Sequence, residues 1–413
     1  MTGTHGTDGT LRHIAVVGAS RAGIRAAEAL RLRGYDGRLT LVDAGSGFPP
    51  GTGEPGPDDP APGRTSTPGP DVEPLPNSTA VGLDLTDATR RRVRLSGRRI
   101  LDVDGLVIAT GAAARRPHAL RGGHPAVYAL RTFEERLTAD DGPALDAALG
   151  RNPRVAVIGA GFTGCEIAAD CRARGLDVTL VEARTAPMER LLGTAMGREL
   201  AALHRDHGTV LATGSPAVSL RPDGVLLADG TLVPADVVVL AAGRVPRTEW
   251  LLGSGLDVTD GVLLDATCAA ERTSRVVAAG SVARWCNPMF GEVMRAEHRS
   301  DKDRQAVAAA DTLLADGEDA MPFESLPYVR SEQYGAEIQF AGLAIGGPHI
   351  VAGTLVERRF VALYTDGQHI TGVLCVNAPS QLDRYWRMVA ARVPKDQVLA
   401  PPTTLKSVLP QVA

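Results

Sequence analysis

The chain has 413 residues, 44% of them hydrophobic, and a net charge of -4, enough apolar side chains for two or three cores and no electrostatic surplus for nucleic acid. No apolar run reaches the roughly 20 residues of a membrane helix, and residues 1–10 are polar and glycine-rich rather than signal-like, which predicts a cytoplasmic protein with no membrane partner. The five cysteines, Cys165, Cys171, Cys268, Cys286 and Cys375, fall at no C-x-x-C or metal-ligand spacing, so neither a metal nor dithiol chemistry is expected.

Residues 11–17 read as a buried strand, 22–33 as an Ala/Leu/Arg helix stopped at Gly34, and 38–43 as a second strand ending in an acid. In such a β-α-β unit the first glycine makes a tight turn and the second lets the backbone approach a pyrophosphate. The third lets helix and strand pack, and the helix N-terminus attracts the phosphate charge. Gly18, Ser20 and Gly23 hold these positions, with a small Ser where the second glycine is expected. Asp43, 25 residues after Gly18, is placed to take a ribose hydroxyl. Between 45 and 76, 17 of 32 residues are Gly or Pro and the only basic one is Arg64, which predicts a long loop. Residues 79–95 read as strand, turn and strand. Residues 103–111, V-D-G-L-V-I-A-T-G, read as a buried strand whose end, Thr110 and Gly111, lets a cofactor approach the backbone. Arg115 and Arg116 beyond it are placed either to meet a phosphate or to stay solvated.

A second unit follows a boundary near 141–152. Residues 154–158 are strand, G-A-G-F-T-G at 159–164 is an unbroken G-x-G-x-x-G, 165–174 are helix, and 177–182 are a strand ending in Glu182. Here Gly159, Gly161 and Gly164 form the turn. Glu182 would accept from both ribose hydroxyls and repel a 2′-phosphate, predicting NAD(H) over NADP, whereas Arg184 is the residue that would hold that phosphate. Residues 224–233 look like a hairpin, and 237–243 and 276–282 like buried strands. Residues 297–314 form a charged amphipathic helix returning to the first domain. From 322 the pattern changes to strands around 337–344, 350–364 and 370–376 and a helix at 382–392, an antiparallel module. The expected fold class is α/β, with two Rossmann-like dinucleotide-binding domains, 1–150 with 270–321 and 151–269, plus a C-terminal α+β domain, 322–413.

Six segments carry a family likeness: V-V-G-A-S-R-A-G-I-R-A-A-E-A-L-R at 16–31, L-V-I-A-T-G at 106–111, G-A-G-F-T-G-C-E-I-A at 159–168, G-R-V-P-R-T-E-W at 243–250, W-C-N-P-M-F-G-E at 285–292 and S-E-Q-Y-G-A-E-I-Q-F at 331–340. The chain resembles the ferredoxin reductase-like branch of the FAD-dependent pyridine nucleotide oxidoreductases, which are glutathione reductase-like in fold. The resemblance implies FAD on the first unit, NAD(P)H on the second, and a C-terminal module completing the flavin pocket. It implies hydride transfer from nicotinamide to flavin, then single electrons passed to a ferredoxin or another redox protein. It adds Gly243, Gly280 and Ser281 to the cofactor-binding candidates, and Glu166 (in the family's G-C-E) and His298 (in its E-H-W) as acid/base candidates.

The departures from the family pattern cluster. Its loop of type Y-x-R-P-P-L-S-K, whose Arg and Lys hold the flavin, has no counterpart in 45–76. Ser281 replaces an Asp that takes a ribityl hydroxyl, Arg299 and Arg330 stand at aromatic positions, and Cys286, expected as an apolar filler, replaces Pro. Each lost charge-assisted contact costs about 1.5–3 kcal/mol, which predicts weakened FAD binding beside an intact NAD(H) site. Without the loop Lys, Glu166 must pair with Arg330, Arg299 or Arg64, carry a raised pKa beside the nicotinamide, or face water. Three functions follow: an NADH-dependent ferredoxin reductase, a flavin-deficient relative acting on a small-molecule substrate, or a non-catalytic nucleotide-binding partner of another redox enzyme.

Overall fold

Runs of Val, Ile and Leu without polar alternation make strands buried on both faces, and two five-stranded parallel sheets are built from them. The computed structural model describes residues 11–45, 71–87, 90–131, 141–271, 273–295, 299–315 and 319–399. They fall into two compact units, Met1–Ala113 with Val245–Ser325 and Ala114–Arg244 with Leu326–Ala413.

In the first unit the parallel sheet runs Val276–Ala278, Gly105–Ile108, His13–Val17, Arg38–Val42, Glu73–Leu75. The helix Arg21–Leu32 buries Ala22, Gly23, Ala26, Ala27 and Ala29, small residues that let it approach the sheet closely. A second helix, Arg299–Ala315, buries Ala306, Ala309, Ala310 and Leu313. Two Arg–Asp forks tie the helices together: Arg21 donates to Asp303 at 2.6–2.9 Å, and Arg33 to Asp311 at 2.6 and 3.0 Å. The sheet edge corrects one expectation, because Glu73–Leu75 lies in the stretch read as loop yet pairs with Arg38–Val42. An edge strand tolerates Pro74, which has no N–H to give a neighbour. Residues 46–70, including Arg64, lie outside the described residues. Two three-stranded sheets complete the unit, Ala80–Asp84 with Arg91–Leu95 and Ile100–Val103, and Val262–Leu264 with Ala283–Asn287 and Glu292–Met294.

In the second unit the parallel sheet runs Val210–Thr213, Val178–Glu182, Val155–Ile158, Val237–Leu240, Val127–Ala129. The helix Phe162–Ala173 starts earlier than the sequence suggests, and the helix Gly142–Leu149 occupies the expected boundary. A long helix, Glu189–Asp206, is missing from the sequence reading: Leu192, Met196, Leu200 and Leu203 line its buried face, but Gly193 at φ 78° interrupts the helical backbone near its start. The C-terminal antiparallel sheet runs Tyr328–Gln333, Ala336–Gly342, Ile370–Val376, Arg359–Thr365, His349–Thr354, and the helix Pro379–Ala390 buries Tyr385, Met388 and Val389. The stretch 350–364, read as continuous, is two strands joined by a turn. Tyr364 donates to Leu192 O at 2.8 Å, seating this sheet on the long helix. Tyr334, in the turn before Ala336 at φ 53°, lies 2.7 Å from Thr209 Oγ1 and 3.0 Å from His204 Nδ1. The His207 ring stacks on it with centroids 4.3 Å apart. Burial, with the neighbouring His207 adding to it, pushes the His204 pKa down to about 4.

Candidate dinucleotide-binding sites

The first site is a meeting of turns at the ends of the strands His13–Val17, Gly105–Ile108 and Val276–Ala278. Gly18 sits at φ 109° and donates its N–H to Val42 O at 2.9 Å. A Cβ on Gly18 would collide with Ala109 O, and one on Gly23 with Gly18 O. Ser20 is the N-cap of the helix Arg21–Leu32, and its hydroxyl accepts from Gly23 N at 3.3 Å and donates to Ala109 O at 2.8 Å. The extra side chain is therefore folded inward, away from the space a pyrophosphate needs. Gly111 adopts φ 70° with open space where a Cβ would be, and Thr110 Oγ1 donates to Arg247 O at 2.7 Å.

Gly280, at φ 81°, packs against the Ala22 methyl and donates its N–H to the buried Gln305 Oε1 at 2.9 Å. Ser281 follows it, half-buried in the same short turn. Asp43 is half-buried and its backbone is fixed by Leu75 O and Ser78 N at 3.0 and 2.7 Å. Gly18, Ser20, Gly23 and Gly280 are thus brought together, and the backbone cradle fits a dinucleotide. Sequence reasoning missed Gln305; its only signal is a polar residue on the Ala-rich face of an otherwise charged helix. His298 lies outside the described residues.

The second site repeats the turn with a different lock. Gly159 sits at φ 102° and donates to Val181 O at 2.8 Å; a Cβ there would lie 2.5 Å from Ala241 O. A Cβ on Gly164 would collide with Gly159 O. Gly161 caps the helix Phe162–Ala173 without a side chain and faces open space. Glu182 is half-buried, its Oε2 accepting from Ala160 N at 2.8 Å and its Oε1 from Arg184 N at 3.0 Å. The Arg184 side chain is exposed. Gly243, at φ 96°, accepts Arg115 N at 2.9 Å, while Arg116 pairs with Asp141. The open ground at Gly161 beside a fixed carboxylate fits the pyrophosphate and ribose of a dinucleotide.

Glu166 is half-buried on the helix Phe162–Ala173. Of the cations offered to it, Arg330 donates to Glu337 at 2.8 Å. Beneath the turn, burial and the charges of Glu166 and Glu182 push the Cys165 thiol well up. Burial also pushes the Cys375 thiol up to about 12, so both stay protonated and inert. The described residues include all five cysteines and no disulfide, contain no cluster of metal-ligating side chains, and contain no helix long and apolar enough to cross a membrane.

Comparison with known proteins bears on both turns. Residues 12–310 match the pyridine nucleotide-disulphide oxidoreductase family, and residues 328–409 match the reductase C-terminal family. Rhodocoxin reductase of Rhodococcus erythropolis is 31% identical, the alignment covering 92% of this chain and 90% of that protein. The anthranilate 1,2-dioxygenase system ferredoxin–NAD(+) reductase component of Burkholderia cepacia is 32% identical over 94% and 97%. Among solved structures, the ferredoxin reductase for the CYP199A2 system of Rhodopseudomonas palustris superposes with a TM-score of 0.79 at 26% identity, covering 94% of this chain and 97% of that one.

Proposed function

The chain belongs to the pyridine nucleotide-disulphide oxidoreductase family, and from that premise we propose that it is an NADH-dependent ferredoxin reductase. The observation that carries this reading is the pair of complete β-α-β turns, the second opening at Gly161 beside the Glu182 carboxylate. The name of the Burkholderia cepacia relative, a ferredoxin–NAD(+) reductase component, supports the assignment of a ferredoxin as acceptor. When bound, FAD would supply the acceptor for the hydride of NADH and release electrons singly to that partner.

In this reading Gly159, Gly161, Gly164, Glu182 and Gly243 hold NAD(H), with the Glu182 charge disfavouring a 2′-phosphate. Gly18, Ser20, Gly23, Asp43, Thr110, Gly111, Gly280 and Ser281 hold FAD, chiefly through backbone groups. Glu166 and His298 are the proton-handling candidates. The three-part division of the chain and a cytoplasmic location belong to the same proposal. Ser281 at the ribityl position supports a dissociable flavin. It also favours a second reading, a flavin-poor relative using NAD(H) on a small molecule. The test is the absorbance spectrum of the purified protein with and without added FAD, followed by NADH oxidation with a ferredoxin. Flavin bands and ferredoxin reduction are expected; their absence at saturating FAD overturns the reductase reading.

A further inference from the structure

We propose that Glu182 is a positioning residue: its carboxylate locks the glycine turn into its phosphate-ready shape before a nucleotide arrives, in addition to meeting the ribose. The inference rests on the second turn being a nucleotide site, as proposed above. Ala160, between Gly159 and Gly161, is 1% exposed, so its N–H needs a partner inside the protein. Glu182 Oε2 supplies it at 2.8 Å, and on the other side of the residue Ala160 O accepts Met188 N at 2.7 Å. The crest of the turn is pinned through both its backbone groups.

Glu182 is itself held. Its Oε1 accepts Arg184 N, and Gly214 N donates to the carbonyls of both Glu182 and Arg184 at 3.0 and 2.8 Å. Among the described residues no carboxylate of this kind holds the first turn, which is tied by the Ser20 hydroxyl instead. A Gln at 182 keeps one acceptor oxygen but presents an amide NH2 to the other N–H, a donor facing a donor. The exchange therefore removes the ribose charge and loosens the turn together. It follows that neutralising Glu182 does not by itself convert the site to NADPH.

The experiment measures binding of ADP and of 2′,3′-dideoxy-ADP, which lacks the ribose hydroxyls, to the full chain and to Glu182→Gln. Hydrogen exchange of the peptides spanning 155–158 and 159–164 is followed in parallel. The expected result is a loss of about tenfold in affinity for dideoxy-ADP in the variant, with faster exchange confined to 159–164. Unchanged dideoxy-ADP affinity, or faster exchange spread equally through 155–158, overturns the proposal. Glu182→Asp, which keeps the charge on a shorter arm, gives the second reading: it must also lose dideoxy-ADP affinity, and full affinity there overturns the proposal even where the Gln variant does not fold. Failure of the unmodified chain to bind either nucleotide refutes the nucleotide site itself, a result distinct from both.

Discussion

The two glycine turns solve one geometric problem with opposite devices. In the first, a hydroxyl inside the turn, Ser20, bonds the end of the neighbouring strand and caps its own helix. In the second no protein atom fills the turn interior at Gly161, and an outer carboxylate, Glu182, holds the crest from the end of the adjacent strand Val178–Glu182. The inner lock uses a turn-side polar group on the protein; the outer lock leaves that ground to a ligand. The first turn thus keeps its shape without the second glycine, because the replacement is small and finds an inward partner.

The largest expected effect is common to both turns. Gly164→Ala and Gly23→Ala each drive a methyl into a backbone carbonyl, which costs about 3 kcal/mol and moves the helix off its strand. Melting and nucleotide titration of each variant check this; a silent substitution at either site breaks the parallel. A pH effect should separate the units. The folded His204 titrates near 4 against 6.5 unfolded, so the unfolded chain binds the extra proton. Stability is fully present above about pH 6.5 and falls toward pH 4, by about 3 kcal/mol at most. Thermal melts across this range should show the slope in Ala114–Arg244 with Leu326–Ala413, and His204→Gln should flatten it.

Ser20→Ala removes the inner lock and should lower stability by about 1 kcal/mol, read as a lower melting temperature of the first unit. The smallest effect is the reverse transplant. Gly161→Ser meets no protein atom, so stability should stay within about 0.5 kcal/mol while NADH affinity falls severalfold. An equal loss of stability in these two variants would erase the distinction between the locks.

The sequence pattern reveals what is periodic or punctuated. Both β-α-β units, their acids and the buried strands carry apolar runs followed by glycine, and these stand where expected. The long helix Glu189–Asp206 escapes because two glycines, Gly193 and Gly197, interrupt a spacing otherwise visible from Leu192 to Leu203. The edge strand Glu73–Leu75 escapes because a Pro-rich segment carries no strand propensity, and its pairing depends on the neighbouring strand alone. At the sites, residue type singles out candidate positions but not how they are held. Ser20 reads as a weakened glycine until its inward bond is seen, and Gln305 reads as an unremarkable helix residue until it meets Gly280. Hydrogen bonds between residues far apart in sequence leave no local pattern.

The forks from Arg21 to Asp303 and from Arg33 to Asp311 reach across nearly three hundred residues, and the sheet strand Val276–Ala278 joins Gly105–Ile108 across a shorter but still long stretch of chain. During synthesis the amino-terminal segment emerges first yet waits for partners made much later. Its sheet must wait, one flank unpartnered, until the chain beyond residue 278 has left the ribosome. Premature termination anywhere upstream of that point leaves an exposed strand edge, the kind of fragment that quality-control machinery must clear.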